Sequence, residues 1–179
     1  MEKILIGRCL QGEKVRWNGS GIDTLLKHPI YLKWQKAGRL VGVCPELLAN
    51  GKIPRFPAEI RGQIAGDNES LYKKFKSGEI KIVENRGENG RIEIIDVTQA
   101  YMHGAEEVLK IVKKNKIKIA ILTDGSPSCG NGQIYDGTFT GKTKAGYGIL
   151  TVILKYNGVQ VFNQNQLEAA ENFLNEIIS

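Results

Sequence analysis

Three short apolar runs of β type, Lys3-Ile4-Leu5-Ile6-Gly7, Leu40-Val41-Gly42-Val43 and Ile117 to Leu122, each give way to a turn that carries a cysteine: Cys9, Cys44 and Cys129. Runs this short and continuous suit strands buried on both faces, the environment of a parallel sheet covered by helices. In such a sheet the carboxyl ends of the strands lie along one edge, so residues that follow different strands share one crevice. Three thiols far apart in sequence can meet there, and a soft metal ion or an iron-sulfur cluster is the usual occasion for such a meeting. A lone free cysteine, by contrast, is most often a small buried hydrophobe. What sets these three apart is their neighbours, all turn formers: Gly7 and Gly12, then Pro45, then Gly125, Pro127 and Gly130. Small or rigid residues let the backbone approach a bulky inorganic group closely.

The rest of the chain supplies the helices. Glu2 to Gly7 reads as the first strand, followed by a polar, Gly-rich loop to Gly21 and a helical stretch from Ile22 to Gly38. Pro29 interrupts that stretch, because proline lacks the amide donor and disfavours helix at His28. Arg39 to Val43 is the second strand, and Cys44 to Gly66 reads as irregular, its angles set by Pro45, Pro54 and Pro57. Asn68 to Ser77 suits a short helix, while Ile80 to Val83 and Arg91 to Ile95 alternate around Asn85 to Gly90 as a β-hairpin outside the main sheet. Tyr101, Ala105, Val108, Leu109 and Val112 recur at helical spacing between Thr98 and Lys114, with Thr98 as N-cap. Lys116 to Leu122 is a strand, Tyr147 to Tyr156 a helix, Val159 to Phe162 a strand, and Asn165 to Ile178 a last helix opening on Asn165-x-x-Glu168. Strands alternating with helices predict an α/β fold: a Rossmann-like, mostly parallel sheet flanked by helices, with a small β-hairpin insertion.

At 179 residues, with 41% apolar and 25% charged, one globular domain spanning 1–179 is expected. No apolar run approaches a membrane span and the N-terminus lacks a signal peptide's long apolar region, so no membrane partner and a cytoplasmic location are expected. Three cysteines with no C-x-x-C pair fit thiols or metal ligands in a reducing compartment rather than disulfides. The net charge of +6 gathers in Lys73-Lys74-Phe75-Lys76 and Lys110 to Lys118. Without interleaved arginines and aromatics these read as solvated helix faces, so no stable nucleic-acid complex is expected. A basic field still favours an anionic small molecule, a nucleotide over a neutral base.

Several motifs occur in a characteristic order. They are Ile6-Gly7-Arg8-Cys9-Leu10-Gln11-Gly12, Val15-Arg16-Trp17-Asn18-Gly19, Val43-Cys44-Pro45-Glu46, Pro54-Arg55-Phe56-Pro57-Ala58-Glu59-Ile60, Asp96-Val97-Thr98, Ser126-Pro127-Ser128-Cys129-Gly130 and Tyr135-Asp136-Gly137-Thr138-Phe139. Together they resemble a bacterial family long catalogued as a domain of unknown function, which includes the thiouracil desulfidases. The resemblance runs from Lys3 to about Phe162.

It implies a 4Fe-4S cluster held by only three cysteines, here Cys9, Cys44 and Cys129, with one iron open. The open iron would act as a Lewis acid toward the sulfur of a thiolated pyrimidine, thiouracil or its nucleotide, so that water replaces sulfur without electron transfer. Glu46, two residues past a ligand and fixed by Pro45, is the expected proton acceptor, and Ser126 is expected to orient water, although serine before proline also caps turns. Arg16 and Asn18 are expected to contact the substrate, and Tyr135 and Asp136 to wall the pocket, although Y-D-G is equally a turn sequence. Arg55 and Glu59 read as an ion pair pinning the long loop. Gly19-Ser20-Gly21 is a weak phosphate cradle.

Two departures stand out. Thr123-Asp124-Gly125 occupies the place of an expected lysine, and the first loop reads R-C-L-Q-G rather than A-C-L-L-G, so Arg8 is expected to restore some of the lost charge. Three other readings stay open on the residues alone. One is a zinc site of the three cysteines with His103 or His28. The others are a basic RNA-binding module without catalysis and a cluster-bearing sulfur carrier or regulator. A homo-oligomer is also open.

Overall fold

The computed structural model describes residues 1–89 and 91–178, less the side chain of Asn50. At its centre lies a four-stranded parallel sheet made of β1 (Ile4–Gly7), β2 (Leu40–Val43), β6 (Ile119–Leu122) and β9 (Gln160–Asn163), ordered β2-β1-β6-β9. Leu5 sits opposite both Val41 and Ala120, and Ala120 opposite Val161. Alternation sends Leu5, Ala120 and Leu122 to one face and Ile4, Ile6, Ile119 and Ile121 to the other. The first face packs against α4 (Thr98–Asn115) and α5 (Ile149–Tyr156), the second against α1 (Pro29–Lys36) and α6 (Leu167–Ile178) through Tyr31, Trp34 and Leu174. This is the expected α/β architecture, helices on both faces of a parallel sheet. Among the described residues no helix is long and apolar enough to cross a membrane.

The hairpin read at Ile80 to Ile95 belongs to a three-stranded antiparallel sheet, β3 (Ala58–Arg61), β4 (Lys81–Asn85) and β5 (Ile94–Asp96), in that order. Its loop residue Gly90 lies outside the described residues. The stretch read as irregular thus contains β3, and it also contains α2 (Pro45–Asn50), with Cys44 as N-cap. Pro45 does not break this helix because it stands at N1, where the missing N–H has no intrahelical partner. The same reason corrects α1, which begins at Pro29 instead of being interrupted by it; the ring Nδ1 of His28 accepts from the Ile30 amide. Thr98 is the first residue of α4 rather than its cap, and Asp96 Oδ1 accepts the Thr98 N–H at 3.0 Å. Asn165 likewise precedes α6, where the Ala170 amide reaches Gln166 O. α3 (Asn68–Ser77) matches its expected bounds. A second hairpin, β7 (Asn131–Tyr135) and β8 (Thr143–Tyr147), was not expected, and it takes Tyr147 away from α5.

Candidate active site

The carboxyl edge of the parallel sheet opens onto a cavity of about 300 Å³ lined by all three cysteines together with Glu46 and Ser126. Strand order explains the convergence: β2, β1 and β6 lie side by side, and Cys44, Cys9 and Cys129 follow them. Cys9 lies in a single 3-10 turn, Arg8–Gln11, with its Sγ 2.8 Å from Thr123 Oγ1. Cys44 Sγ lies 4.0 Å from the Val15 carbonyl oxygen. Cys129 is reached by a turn that closes with Gly130 N on Ser126 O, 2.8 Å. All three are free thiols. Burial pushes each above the ordinary thiol range. The Thr123 hydrogen bond and the Arg16 cation oppose this at Cys9, whereas at Cys129, raised furthest, the charges of Cys9, Glu46 and Cys44 reinforce it.

Three soft donors within electrostatic reach of one another on one cavity call for a positively charged inorganic partner. Among the described residues, no set of three or more His, Cys, Asp or Glu side chains is arranged to hold a single metal ion. The zinc reading fails on its fourth ligand as well: His103 is exposed on α4, and His28 caps α1 with Nε2 3.4 Å from Glu168. All three donors are cysteine sulfurs, the ligand type that iron-sulfur clusters take, so the chemistry of the donor set fits such a cluster.

Glu46, in the first turn of α2, is held by both oxygens. Oε2 accepts from Arg55 Nη2 at 2.8 Å and Oε1 from Ser126 Oγ at 3.0 Å. The Arg55 side chain is 2% exposed and also donates to the carbonyls of Val15 and Lys52, each at 2.9 Å, with its Nε left unpaired. This corrects the expected pairing: Arg55 is bound to Glu46, not to Glu59. Ser126 Oγ meanwhile accepts the amides of Ser128 and Cys129 at 3.0 and 3.1 Å. A hydroxyl has one proton and two lone pairs. All are committed, so Ser126 positions Glu46 and the Cys129 turn and has no lone pair left to orient water.

Arg16, Asn18 and Tyr135 line the cavity. Asn18 Oδ1 is committed to the amide and hydroxyl of Ser20, at 3.1 and 2.6 Å, and Arg16 Nη1 lies 3.5 Å from the same hydroxyl. Asp136 does not line it. Its carboxylate accepts from Thr138 N and Oγ1 at 2.9 and 2.6 Å, so the turn reading of Y-D-G describes it. Arg8 does not line the cavity and is paired with Glu13, although its charge still reaches Cys44, and Gln11 packs over Gly42. Gly19-Ser20-Gly21 does not lead into a helix, since the next one, α1, starts only at Pro29, and Gly21 lies against Gly12, so the segment is not the phosphate cradle expected of it. Sequence reasoning passed over Thr123 as the partner of Cys9, and Tyr101, which sits on the apolar stripe of α4 yet lines the cavity. Burial, then the charges of Glu46 and Glu84, push the Tyr101 hydroxyl well up.

Fold and cavity together define an α/β protein whose sheet edge presents a thiol-lined pocket. The chain belongs to the 2-thiouracil desulfurase family, whose model it matches over residues 4–166. It is 39% identical over 167 residues to YbbK of Bacillus subtilis (strain 168), an uncharacterized protein, across 92% of this chain and 97% of that one. It is also similar to the solved structure of TudS, a 4Fe-4S-dependent thiouracil desulfidase, with a TM-score of 0.79 and 32% identity over 98% of this chain and 99% of that one.

Proposed function

We propose that this protein hydrolyses the C–S bond of a thiolated pyrimidine, thiouracil or its nucleotide, with a 4Fe-4S cluster held by Cys9, Cys44 and Cys129. The observation that carries this reading is the convergence of three free thiols beside Glu46 on one cavity. Bound by these three cysteines, such a cluster would supply a Lewis acid for the thione sulfur. The chain's own residues handle the water and its protons. Glu46 takes a proton from the water that attacks the thione carbon, each of its oxygens still having a second lone pair beyond the bonds to Arg55 and Ser126. Arg55 and Ser126 fix that carboxylate, and Arg16 offers a cation to charge that develops on the incoming oxygen. Tyr101, Trp17 and Tyr135 wall the cavity and limit bulk water. One C–O bond forms, one C–S bond breaks, and sulfur leaves as hydrosulfide with a proton, so no electron is exchanged.

Anaerobic reconstitution followed by a sulfide-release assay on 2-thiouracil tests the reading. Wild type turns brown and releases sulfide, and Cys129→Ala stays colourless and inactive. Glu46→Ala keeps its colour while turnover falls about 10²- to 10⁴-fold. Unimpaired turnover by Glu46→Ala removes that residue from the mechanism. Sulfide that binds but is never released from any thiolated base marks a carrier instead.

A further inference from the structure

We infer that Glu59 recognises one ring N–H of the substrate and so selects pyrimidines in which that nitrogen carries no substituent, a condition that N3 of a nucleotide also meets; the identity of the ring rests on the desulfuration reading. Three carboxylates line the cavity: Glu46, Glu59 and Asp124. Glu46 has one oxygen on Arg55 and the other on Ser126. Asp124 has Oδ1 on the amides of Asn131 and Gln133 and Oδ2 on Asn163 Nδ2. Glu59 differs. Its Oε2 accepts both local donors, the amides of Gly137 and Phe139 at 2.9 and 3.0 Å, while Oε1 has no hydrogen-bond partner and the side chain no ion pair among the described residues. Yet Glu59 is only 7% exposed.

Glu59 Oε1 is not among the fully buried polar atoms and belongs to a side chain that lines the cavity, so an occupant that brings a donor gains a charge-assisted hydrogen bond there, and one that displaces water without bringing a donor loses it. The oxygen is also held rigidly. Glu59 lies on β3 opposite Val83, and its partner loop is a tight one in which Phe139 takes φ +58° and Gly137 φ +92°. A fixed acceptor of this kind suits a flat ring that presents an N–H at its edge. 2-Thiouracil carries such an N–H on each side of the thione carbon, a nucleotide or a 4-thione keeps the one at N3, and the oxo product keeps whichever the substrate had. N-alkylation would leave Oε1 unpaired and place a methyl group against it, which a site built on hydrogen bonding rejects strongly.

The test uses the cluster-loaded protein under nitrogen, with binding of uracil and 1,3-dimethyluracil followed by tryptophan fluorescence, since Trp17 lines the cavity. Wild type is expected to bind uracil about tenfold or more tighter than its dimethyl derivative. Glu59→Gln keeps a carbonyl oxygen for Gly137 and Phe139 but turns an NH2 group to the cavity, and the preference is expected to fall to about twofold or less. Near-UV circular dichroism checks that the variant keeps its hairpin seated, and the wild-type comparison needs no variant at all. A wild type with no preference, no measurable uracil binding, or an unchanged preference in Glu59→Gln overturns the inference. Because uracil contains no sulfur, N–H preference without sulfide release from 2-thiouracil refutes the desulfuration reading alone. Sulfide release without N–H preference refutes Glu59 alone.

Discussion

Replacing Arg55 by methionine removes the clamp on Glu46 while keeping much of the apolar bulk. The guanidinium makes one charged bond to Glu46 and one bond each to the Val15 and Lys52 carbonyls, from a side chain 2% exposed against 14% for Glu46. Breaking a buried pair from one side costs about 3–5 kcal/mol. The partial exposure of Glu46 and its surviving bond to Ser126 place the loss near the lower bound, about 3 kcal/mol. For a chain of this size that corresponds to a fall in melting temperature of about 6–12 °C. Freed of Arg55, the carboxylate shifts from its place beside the cavity. A displacement of about 1 Å can cost 10²-fold in rate, so kcat is expected to fall by about that factor while KM stays within a factor of about three. Arg55→Lys is expected to recover only part of it, because a point charge cannot serve the carboxylate and two carbonyls together. Thermal melts of reconstituted protein and initial rates of sulfide release measure both effects. A melting temperature within about 2 °C of wild type, together with unchanged kcat, refutes the clamp.

Gly104 of α4 lies so close to α2 that a Cβ would stand 2.1 Å from the Pro45 carbonyl oxygen and 3.0 Å from the Ala49 amide nitrogen. Gly104→Ala therefore unseats α2, with Cys44 and Glu46 at its start, costing about 1–3 kcal/mol or more and lowering iron bound per chain; a fully loaded, stable variant would show that α2 yields without cost. Glu171 accepts from Lys33 Nζ and Trp34 Nε1 and so ties α6 to α1. Desolvation pushes its carboxyl up, but those bonds and the charges of Lys33 and Arg39 prevail, leaving it below the ordinary 4.5. A lowered folded value gives stability that is whole above pH 4.5 and is lost as pH falls through the folded value. Glu171→Gln should thus show a shallower loss of stability than wild type between about pH 5 and pH 3, read from Trp34 fluorescence during urea titration, and parallel curves would contradict the assignment.

The central sheet is legible in the sequence because strands covered on both faces must be apolar at nearly every position, as Ile4, Leu5, Ile6 and Ile119 to Leu122 are. β7 and β8 are not legible for the converse reason. Asn131 to Tyr135 and Thr143 to Tyr147 bury Ile134 alone, so no apolar alternation marks them. α2 escapes notice through Pro45, since proline reads as a breaker everywhere except at the first helical position, and nothing in the sequence alone says that a helix begins there.

The site divides along the same line. Cys9, Cys44 and Cys129 are found from sequence because their meeting is a matter of topology, with parallel strands ending on one edge. Which side chain holds which is a matter of loop path. Arg55 reaches back to Glu46 from residues 51–57, which follow no regular period, while β3 turns Glu59 toward the Gly137 and Phe139 amides. The sulfur donors are thus placed by the sheet, and the carboxylates are aimed by loops. Substitutions in the loops should then change rate and substrate choice while leaving the three thiols together, and only changes that move a strand end or α2, as at Gly104, should scatter the thiols themselves.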